Sequence, residues 1–269
     1  MTDSPAAADF ASDLTLALRL ADVADAQSLP RFDASDLRIS TKADRSHVTD
    51  ADLATERAIR ALLAEERPGD GILGEEFGTE GESHRQWIID PIDGTANFMR
   101  GVPLWGTMIS LAVEGTPHVG VVSMPALGRR WWASTGTGAW TATDADPRRL
   151  ETSAVASLDD AAVSFQSITQ WADAGHLPAL LRIADRVWRD RALGDVYSYM
   201  LLAEGRLEMV AEFDVKEYDI AAAVPIVREA GGTFTSFDGV DTIAARSTLA
   251  TNGLLHDAFL ELAHATQNP

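Results

Sequence analysis

The sequence has 269 residues, 46% of them hydrophobic, so the chain can bury the core of one large domain or of two closely packed lobes. Its net charge of -19, from 22 Lys and Arg against 41 Asp and Glu, argues against a nucleic-acid-binding protein, which needs a positive surface for phosphates. The lack of cysteine excludes disulfides and thiolate chemistry and fits a cytoplasmic protein.

The sequence also carries no recognisable targeting or membrane signal. The first residues, MTDSPAAADF, lack a basic segment followed by an apolar one, and no apolar run approaches the length that crosses a bilayer. We therefore predict a soluble, cytoplasmic protein that binds neither membrane nor nucleic acid.

Helical and strand patterns alternate along the first half of the chain. Apolar residues at helical spacing predict one helix over residues 10–21 and another that begins near Thr49. The segment TMISLAVEGTPHVGVVSMPA predicts two strands that turn at residues 114–117, and RRWWAS predicts a third. Together these three strands form an antiparallel block.

A polar stretch, TATDADPRRLETS, separates this half from the rest of the chain and suggests two lobes, residues 1–149 and 150–269, in one compact unit. In the second lobe we predict strands near residues 161–165, 186–189 and 206–213, and helices at residues 195–203, 218–232 and 254–266. This alternation is typical of an α/β or α+β sandwich.

The segment WIIDPIDGTANF places two aspartates directly after an apolar strand. Pro91 keeps Asp90 extended, so Asp90 and Asp93 emerge together at the end of the sheet. Two charges there repel one another and lose solvation unless water, a cation or raised pKa values relieve them, and a metal ion is the simplest relief. The alternative is an ordinary turn, because Asp, Pro and Gly all favour turns.

Gly94 and Thr95 follow the second aspartate and predict the start of a short helix. Free backbone N–H groups at such a start suit an anion such as phosphate. The segment thus predicts metal ligands beside a cradle for an oxyanion.

Two further acidic clusters follow predicted element ends. ILGEEFG places Glu75 and Glu76 after an apolar strand, and DVKEYDIAAA places Asp219 at a helix start. Each cluster alone has an ordinary explanation, because adjacent glutamates are usually solvated and an aspartate in a first helical turn commonly caps the helix.

In their order along the chain, GEE, DPIDGTANF and YDIAA resemble the inositol monophosphatase family of metal-dependent phosphomonoesterases. The resemblance extends from about Lys42 to Gly232, and the DPIDGT string is highly specific. It implies an α+β fold of the fructose-1,6-bisphosphatase-like type, a layered α-β-α-β-α sandwich.

The resemblance also implies which residues bind metal. Glu75, Asp90, Asp93 and Asp219 correspond to the metal carboxylates, and the Ile92 carbonyl completes the set. Oxygen ligands of this kind suit two or three magnesium ions, with manganese as a substitute, and Asp90 bridges two ions. Paired ions activate a water as the nucleophile and shield the leaving oxygen, with no covalent phosphoenzyme.

Further roles follow from the same resemblance. Thr95 orients the attacking water, Glu75 acts as its base, and Asp93, Gly94 and Thr95 contact the substrate, with Gly94 and Thr95 N–H groups holding phosphate oxygens. Asp52, in VTDAD, supports Thr95. Relatives often carry proline where this chain has His47, and we assign His47 no role.

Four strings resemble the actinobacterial type of histidinol-phosphate phosphatase within the family: TKADRSHVTDAD, NFMRGVPLWGTMISL, RRWWASTGTGAW and RALGDVYSYMLLAEGRLE. A substrate with an ammonium and an imidazole favours acidic contacts, for which Asp195 and Glu212 are candidates. Their alternative roles are a helix N-cap for Asp195 and an edge-strand charge for Glu212. Arg191 is open between a pair with Asp195 and a phosphate contact.

The resulting hypothesis is magnesium-dependent hydrolysis of L-histidinol phosphate to L-histidinol and phosphate. The alternatives are an inositol-1-phosphatase, another small sugar or nucleotide phosphatase, a regulatory protein with vestigial activity, and a protein with a structural calcium site. The family tends to form dimers, so the resemblance implies a homodimer. Trp131 and Trp132 favour core packing, one on each side of a strand, and Arg100 is left open between the active site and a subunit contact.

Overall fold

The computed structural model describes residues 10–42, 46–143 and 146–265. Most of the N-terminal segment that was searched for a targeting signal, residues 1–9, lies outside these ranges, as does residue 266 of the predicted terminal helix. None of the described helices is both long and apolar enough to span a bilayer.

The helices of the described residues are α1 (Ala11–Ser28), α2 (Asp50–Glu66), α3 (Thr95–Met99), α4 (Ile168–Asp173), α5 (Leu177–Arg186), α6 (Asp195–Ala203), α7 (Glu217–Ile220), α8 (Ala223–Glu229) and α9 (His256–His264). The strands are β1 (Ile39–Thr41), β2 (His47–Thr49), β3 (Gly71–Gly74), β4 (Gly78–Glu80), β5 (Arg85–Asp93), β6 (Gly106–Val113), β7 (Thr116–Met124), β8 (Arg129–Ser134), β9 (Ala139–Ala142), β10 (Arg148–Arg149), β11 (Ala162–Phe165), β12 (Arg189–Arg191), β13 (Met209–Phe213), β14 (Thr233–Thr235) and β15 (Ser247–Thr251).

Two sheets organise the molecule. The larger has eight strands in the order β10-β9-β8-β7-β6-β5-β3-β4, and all its neighbours are antiparallel except β3 and β5. The smaller has the order β12-β11-β13-β15-β14, with β11 parallel to both of its neighbours. Strands β1 and β2 form a separate hairpin just before α2.

Helices cover both sheets and fill the space between them. Residues of α1 and α2 pack with Trp87, Ile89 and other side chains on one face of the larger sheet. On its other face Met108 and Val122 share a core with α6, α8 and residues of the smaller sheet. The far face of the smaller sheet packs against α4, α5 and α9. This gives five layers in the order α-β-α-β-α, as the sequence predicted.

The larger sheet lies within residues 71–149 and the smaller within residues 162–251, but the core between them draws on both. The division into lobes 1–149 and 150–269 therefore stays a prediction.

Three predicted elements differ from the observed ones. The strand predicted at residues 186–189 is placed too early in the chain. Arg186 ends α5, and β12 begins at Arg189, where it pairs with β11 opposite Ala162. The strand predicted from residue 206 begins only at Met209. The single helix predicted over residues 218–232 is two helices, α7 and α8.

Pro225 explains the break between α7 and α8. Its nitrogen carries no hydrogen and cannot bond the Ala221 carbonyl four residues earlier. The Ser110 hydroxyl, from β6, lies 3.2 Å from that carbonyl oxygen and 2.8 Å from the Val119 carbonyl oxygen, and its one hydrogen serves these two acceptors. At Gly120 in β7 the two layers come so close that a Cβ atom would lie 2.1 Å from the Ala222 carbonyl oxygen.

Candidate active site

An irregularity at the end of β5 brings two aspartates into one cleft. Pairing with β6 is regular to Asp90, opposite Met108, and resumes only at Asp93, opposite Gly106. Pro91 lies in this interval and cannot donate to the sheet. Because residues three apart on a regular strand face opposite sides, the shift in register is what allows both carboxylates to line the same cleft.

Asp219 joins this pair from helix α7. Asp90, Asp93 and Asp219 each offer a carboxylate oxygen, and these three oxygens lie within 4.8 Å of one another. The Asp219 carboxylate accepts a hydrogen bond from the Lys216 N–H at 2.7 Å, which fixes its position in the first turn. Three carboxylates at this spacing could hold a divalent cation.

The electrostatics of the cluster favour a cation. Burial raises the pKa of Asp90 well above its ordinary value, and the charge of Glu75 raises it further. Burial and the charge of Asp195 do the same to the pKa of Asp93, and burial raises the pKa of Asp219 to about 7. Bound protons or a cation must offset so much negative charge, and an all-oxygen set suits magnesium.

Glu75 lines the same cleft but is not one of the three clustered carboxylates. Its backbone N–H donates to the Ile89 carbonyl at 3.1 Å, which places it beside the end of β5. Its Oε1 accepts a hydrogen bond from Lys42 Nζ at 2.9 Å, and the same ammonium bonds Glu76 Oε1 at 2.7 Å. The Lys42 ammonium therefore offsets the negative charge of Glu75, and it is shared with Glu76.

The loop that carries Glu75 is anchored by a second glutamate. Glu56, fully buried in α2, accepts hydrogen bonds from the N–H groups of Glu76 at 2.7 Å and Phe77 at 3.2 Å. Its Oε1 also accepts from Arg60 Nε at 2.8 Å. A Cβ atom at Gly74 would lie 1.9 Å from that oxygen, so a larger residue there would displace the Glu56 carboxylate from these hydrogen bonds.

Thr95 and Asp52 meet as predicted. The Thr95 hydroxyl lies 3.0 Å from the Ile92 carbonyl oxygen and 3.3 Å from Asp52 Oδ1. The other Asp52 oxygen accepts from the Thr49 N–H at 2.9 Å, so Asp52 also closes the capping box of α2. Burial raises the pKa of Asp52 to about 6.

Gly94 turns the chain from β5 into α3. Its φ of 81° lies in the left-handed region, which favours glycine. A Cβ atom there would lie 3.0 Å from the Leu104 carbonyl oxygen and 3.3 Å from Asp195 Oδ2. Gly94 and Thr95 both line the cleft, and the oxyanion cradle that they were predicted to form stays a prediction.

Asp195 does not cap α6. It is the first residue of the helix, with a φ of 52°, and makes no capping hydrogen bond. Its Oδ2 accepts from Asn97 Nδ2 at 2.9 Å and its Oδ1 from Gln166 Nε2 at 3.3 Å. The buried N–H of Val196, at the helix start, donates instead to Asp93 Oδ2 at 2.7 Å. The left-handed backbone thus frees the Asp195 side chain to line the cleft.

Glu212 does not lie on an edge strand. Strand β13 is the central strand of the smaller sheet, and Glu212 is only 3% exposed. Its Oε2 accepts from the Tyr199 hydroxyl at 2.8 Å, while its Oε1 has no partner among the described residues. Burial raises the pKa of Glu212 to about 8.

Two glutamines in the cleft were missed by the sequence reasoning. Gln166 follows β11 directly, and Gln170 lies in α4. The available signal was topological, because β11 and β13 are parallel neighbours, and groups after parallel strands gather at their carboxyl ends. No motif marks either residue.

The cleft has a volume of about 230 Å³ and contains every predicted site residue except Asp52. A neighbouring cavity of about 450 Å³ shares Gln170 and Asp214 with it and is walled partly by His176, Phe213 and Phe237. His176 stacks on Phe213 with ring centroids 4.8 Å apart.

The remaining candidates lie elsewhere. Arg191 is exposed and donates to the Asp190 carbonyl, and none of the described ion pairs joins it to Asp195. Arg100 and His47 are exposed. Trp131 is fully buried in the core between the sheets, and Trp132 is partly buried on the side of α1, so both pack structurally.

Comparison with known proteins identifies relatives over nearly the whole chain. The model of the inositol monophosphatase family matches residues 11–268. A histidinol-phosphatase of Mycobacterium tuberculosis is 53% identical over 94% of this chain and 98% of its own length. One of Streptomyces coelicolor is 47% identical over 94% and 97%. The structure of an inositol monophosphatase from Zymomonas mobilis superposes with a TM-score of 0.84 at 30% identity, covering 96% of this chain and all of its own.

Proposed function

We propose, since the chain belongs to the inositol monophosphatase family, that it is a magnesium-dependent phosphomonoesterase that hydrolyses L-histidinol phosphate to L-histidinol and phosphate. The names of its relatives in M. tuberculosis and S. coelicolor support this substrate.

The observation that carries the proposal is the presence of two acidic groups, that is, two separate sets of carboxylates, in one cleft. Asp90, Asp93 and Asp219 are clustered closely enough to share a cation. Asp195 and Glu212 line the same cleft without belonging to that cluster, and one buried oxygen of Glu212 has no partner in the part of the chain that the structure describes. A phosphate ester that also carries an ammonium and an imidazole uses both groups, because its nitrogens need acceptors and negative charge.

The donor set fits the predicted metal. Asp90, Asp93 and Asp219, with Glu75 and the Ile92 carbonyl, would hold two or three magnesium ions, and manganese could replace them. Bound magnesium would neutralise the phosphate and lower the pKa of the attacking water. A metal ion that took the place of the Lys42 ammonium at Glu75 Oε1 would leave Lys42 bonded to Glu76.

The chain's own groups position the reactants. Thr95 orients the attacking water through its hydroxyl, whose direction is set by the Ile92 carbonyl and by Asp52. Glu75 accepts the proton of that water. The backbone N–H groups of Gly94 and Thr95 hold phosphate oxygens.

The test is a side-by-side measurement of kcat/KM for L-histidinol phosphate and inositol 1-phosphate with magnesium. We expect a preference of at least about tenfold for histidinol phosphate, equivalent to about 1.4 kcal/mol of selective binding. Equal or reversed preference would replace this proposal with the inositol alternative. No phosphate release from either ester would favour a regulatory protein or a structural calcium site.

Asp195→Asn provides a second test within the same assay. Loss of its charge should lower turnover of histidinol phosphate far more than turnover of inositol 1-phosphate, because only the first substrate carries a cation. An equal loss on both substrates would remove Asp195 from substrate selection.

The homodimer and the cytoplasmic location belong to the same proposal. The exposed side chains of Leu181 and Trp188, 62% and 67% accessible, are candidates for a subunit contact. Light scattering of the purified protein tests the dimer, which a monomeric mass would contradict.

A further inference from the structure

Three buried acceptor oxygens in the substrate cleft lack a hydrogen-bond partner among the described residues. They are Oε1 of Glu212, Oε1 of Gln166 and Oε1 of Gln170. A buried acceptor without a donor is unfavourable, so folded proteins seldom keep several together. The proposed metal and phosphate contacts use none of these three oxygens, and the ammonium contact proposed for Glu212 leaves the two amide oxygens without a role.

The orientation of the Gln166 amide is fixed by its neighbour. Its Nε2 donates to Asp195 Oδ1 at 3.3 Å. The reversed amide would place Oε1 against that carboxylate oxygen, where two acceptors repel. Oε1 is therefore the atom that Gln166 leaves for a ligand.

Gln170 lies on the border between the cleft and the neighbouring aromatic cavity. Ser167 is the N-cap of α4, and its hydroxyl oxygen accepts a hydrogen bond from the Gln170 backbone N–H at 3.2 Å. This bond fixes the start of the helix and the point from which the Gln170 side chain extends. It lines both spaces, and Phe213 and His176 wall the far one. The border thus combines neutral acceptors with flat aromatic surface.

We infer that Gln166 and Gln170 are specificity-determining residues that accept hydrogen bonds from the N–H groups of the substrate's nitrogen heterocycle. This inference rests on the proposed function and adds a division of labour to it. An amide oxygen accepts from a ring N–H without carrying a charge. The protonated imidazole presents two such N–H groups and the neutral ring one, and in both cases the carboxylates of Asp195 and Glu212 remain for the ammonium. A site with unpaired buried acceptors also rejects an analogue that lacks the donor.

The experiment compares L-histidinol phosphate with its two N-methylimidazole derivatives, each of which lacks one ring nitrogen as a hydrogen donor. We expect the wild-type protein to lose about tenfold or more in kcat/KM on at least one derivative. In the double variant Gln166→Met/Gln170→Met, which keeps side-chain length but has no acceptor amide, that discrimination should fall to about twofold or less.

Gln86→Met, in β5, is the matched control and should keep the wild-type discrimination. Should the double variant fail to fold, Gln166→Asn, which withdraws the oxygen and keeps an amide, is measured in its place. Discrimination that persists unchanged in the folded variant would mean that the methyl group is rejected for its size, and would overturn the inference.

Failure of this inference is distinguishable from failure of the proposed function. A wild-type protein that prefers histidinol phosphate to inositol 1-phosphate, with variants that retain the discrimination between methylated and unmethylated rings, refutes only the glutamines. A wild-type protein with no preference for histidinol phosphate refutes the proposed function itself.

Discussion

Asp93 links the two acidic groups of the cleft. It is one of the three carboxylates that could share a cation, and its Oδ2 also accepts the Val196 N–H at the start of α6. The residue before Val196 is Asp195, proposed to contact the substrate's cation. A displacement of Asp93 therefore moves both the cation cluster and the substrate contacts.

Thr95→Val should lower kcat by about 100-fold or more, because it removes the hydroxyl proposed to orient the attacking water and keeps the side chain's shape. Magnesium binding, measured by calorimetry, should change by less than about twofold, since the carboxylates are untouched. Thr79→Val, on the exposed strand β4, is the control. Unchanged kcat in Thr95→Val would contradict the role of this hydroxyl.

Glu212 should make the stability of the metal-free protein depend on pH. Its pKa rises from 4.5 to about 8 on folding, so the folded protein keeps a proton that the unfolded chain has lost. The contribution of this proton to the free energy of unfolding is fully present below pH 4.5 and is lost as the pH rises through about 8. Glu212→Gln, always neutral, should therefore gain thermal stability relative to wild type as the pH increases.

That difference is measured as Tm in EDTA between pH 5 and pH 9. The other site carboxylates are common to both proteins, so the difference in Tm reports Glu212 together with its charge interactions with Asp195 and Asp219. Parallel Tm curves across the range would show that Glu212 is ionised in the folded protein.

Sequence reasoning named most of the charged residues that line the cleft, and the structure rules out the alternative roles that it left open for two of them. The alternatives of an N-cap for Asp195 and an edge strand for Glu212 follow from local pattern, which does not contain the left-handed backbone of Asp195 or the strand order of the smaller sheet. Gln166 and Gln170 were missed because their place in the cleft arises from the tertiary fold, in which β11 pairs with the distant strand β13.

At the scale of elements, α2 supports the loop between β3 and β4. Glu56 in α2 holds the N–H groups of Glu76 and Phe77, and the missing side chain of Gly74 leaves room for its carboxylate. The position of Glu75 therefore depends on a helix that contributes Asp52 to the site as well.

Glu56→Gln should raise the magnesium concentration for half-maximal activity by about tenfold. The amide can accept at one atom only, so one loop N–H faces a donor and the Glu75 segment shifts. Glu65→Gln, exposed on the same helix, is the control. Titration of activity with magnesium checks this, and the same half-maximal concentration in all three proteins would contradict the anchoring role.

The prediction of elements succeeded where local signals were strong. Helix α2 begins at Asp50, beside the predicted start near Thr49, whose side chain forms the capping box, and the predicted bounds of α6 are the observed ones. It failed at β12, whose register is set by pairing with β11, and at the α7–α8 break, where Pro225 removes a hydrogen bond inside an otherwise helical pattern. Long-range pairing and single missing donors are not visible as periodicity.

At the scale of the molecule, the cluster of three carboxylates that could hold a cation joins two layers. Asp90 and Asp93 come from the larger sheet, whereas Asp219 comes from α7 in the helical layer between the sheets. A cation held by all three would tie these layers together, and any ligand that binds only the folded state stabilises it.

Magnesium at 100 times its dissociation constant should therefore stabilise the protein by about 2.7 kcal/mol, and EDTA should reverse the effect. Asp219→Asn should largely abolish this response, and Asp257→Asn, exposed in α9, should retain it. Differential scanning calorimetry with and without magnesium measures both. A full response in Asp219→Asn would exclude Asp219 from the cation site.

Gly120 bears on this junction although it has no functional group. The strand β7 passes so close to the turn after α7 that even one methyl group at Gly120 would meet the Ala222 carbonyl. Asp219 lies three residues before Ala222, so the distance between Asp219 and Asp90 depends on how closely this turn packs against β7. The close packing that Gly120 permits thus sets how near Asp219 lies to Asp90, and the same acidic residues on a scaffold with a larger side chain at this position would hold a cation less tightly.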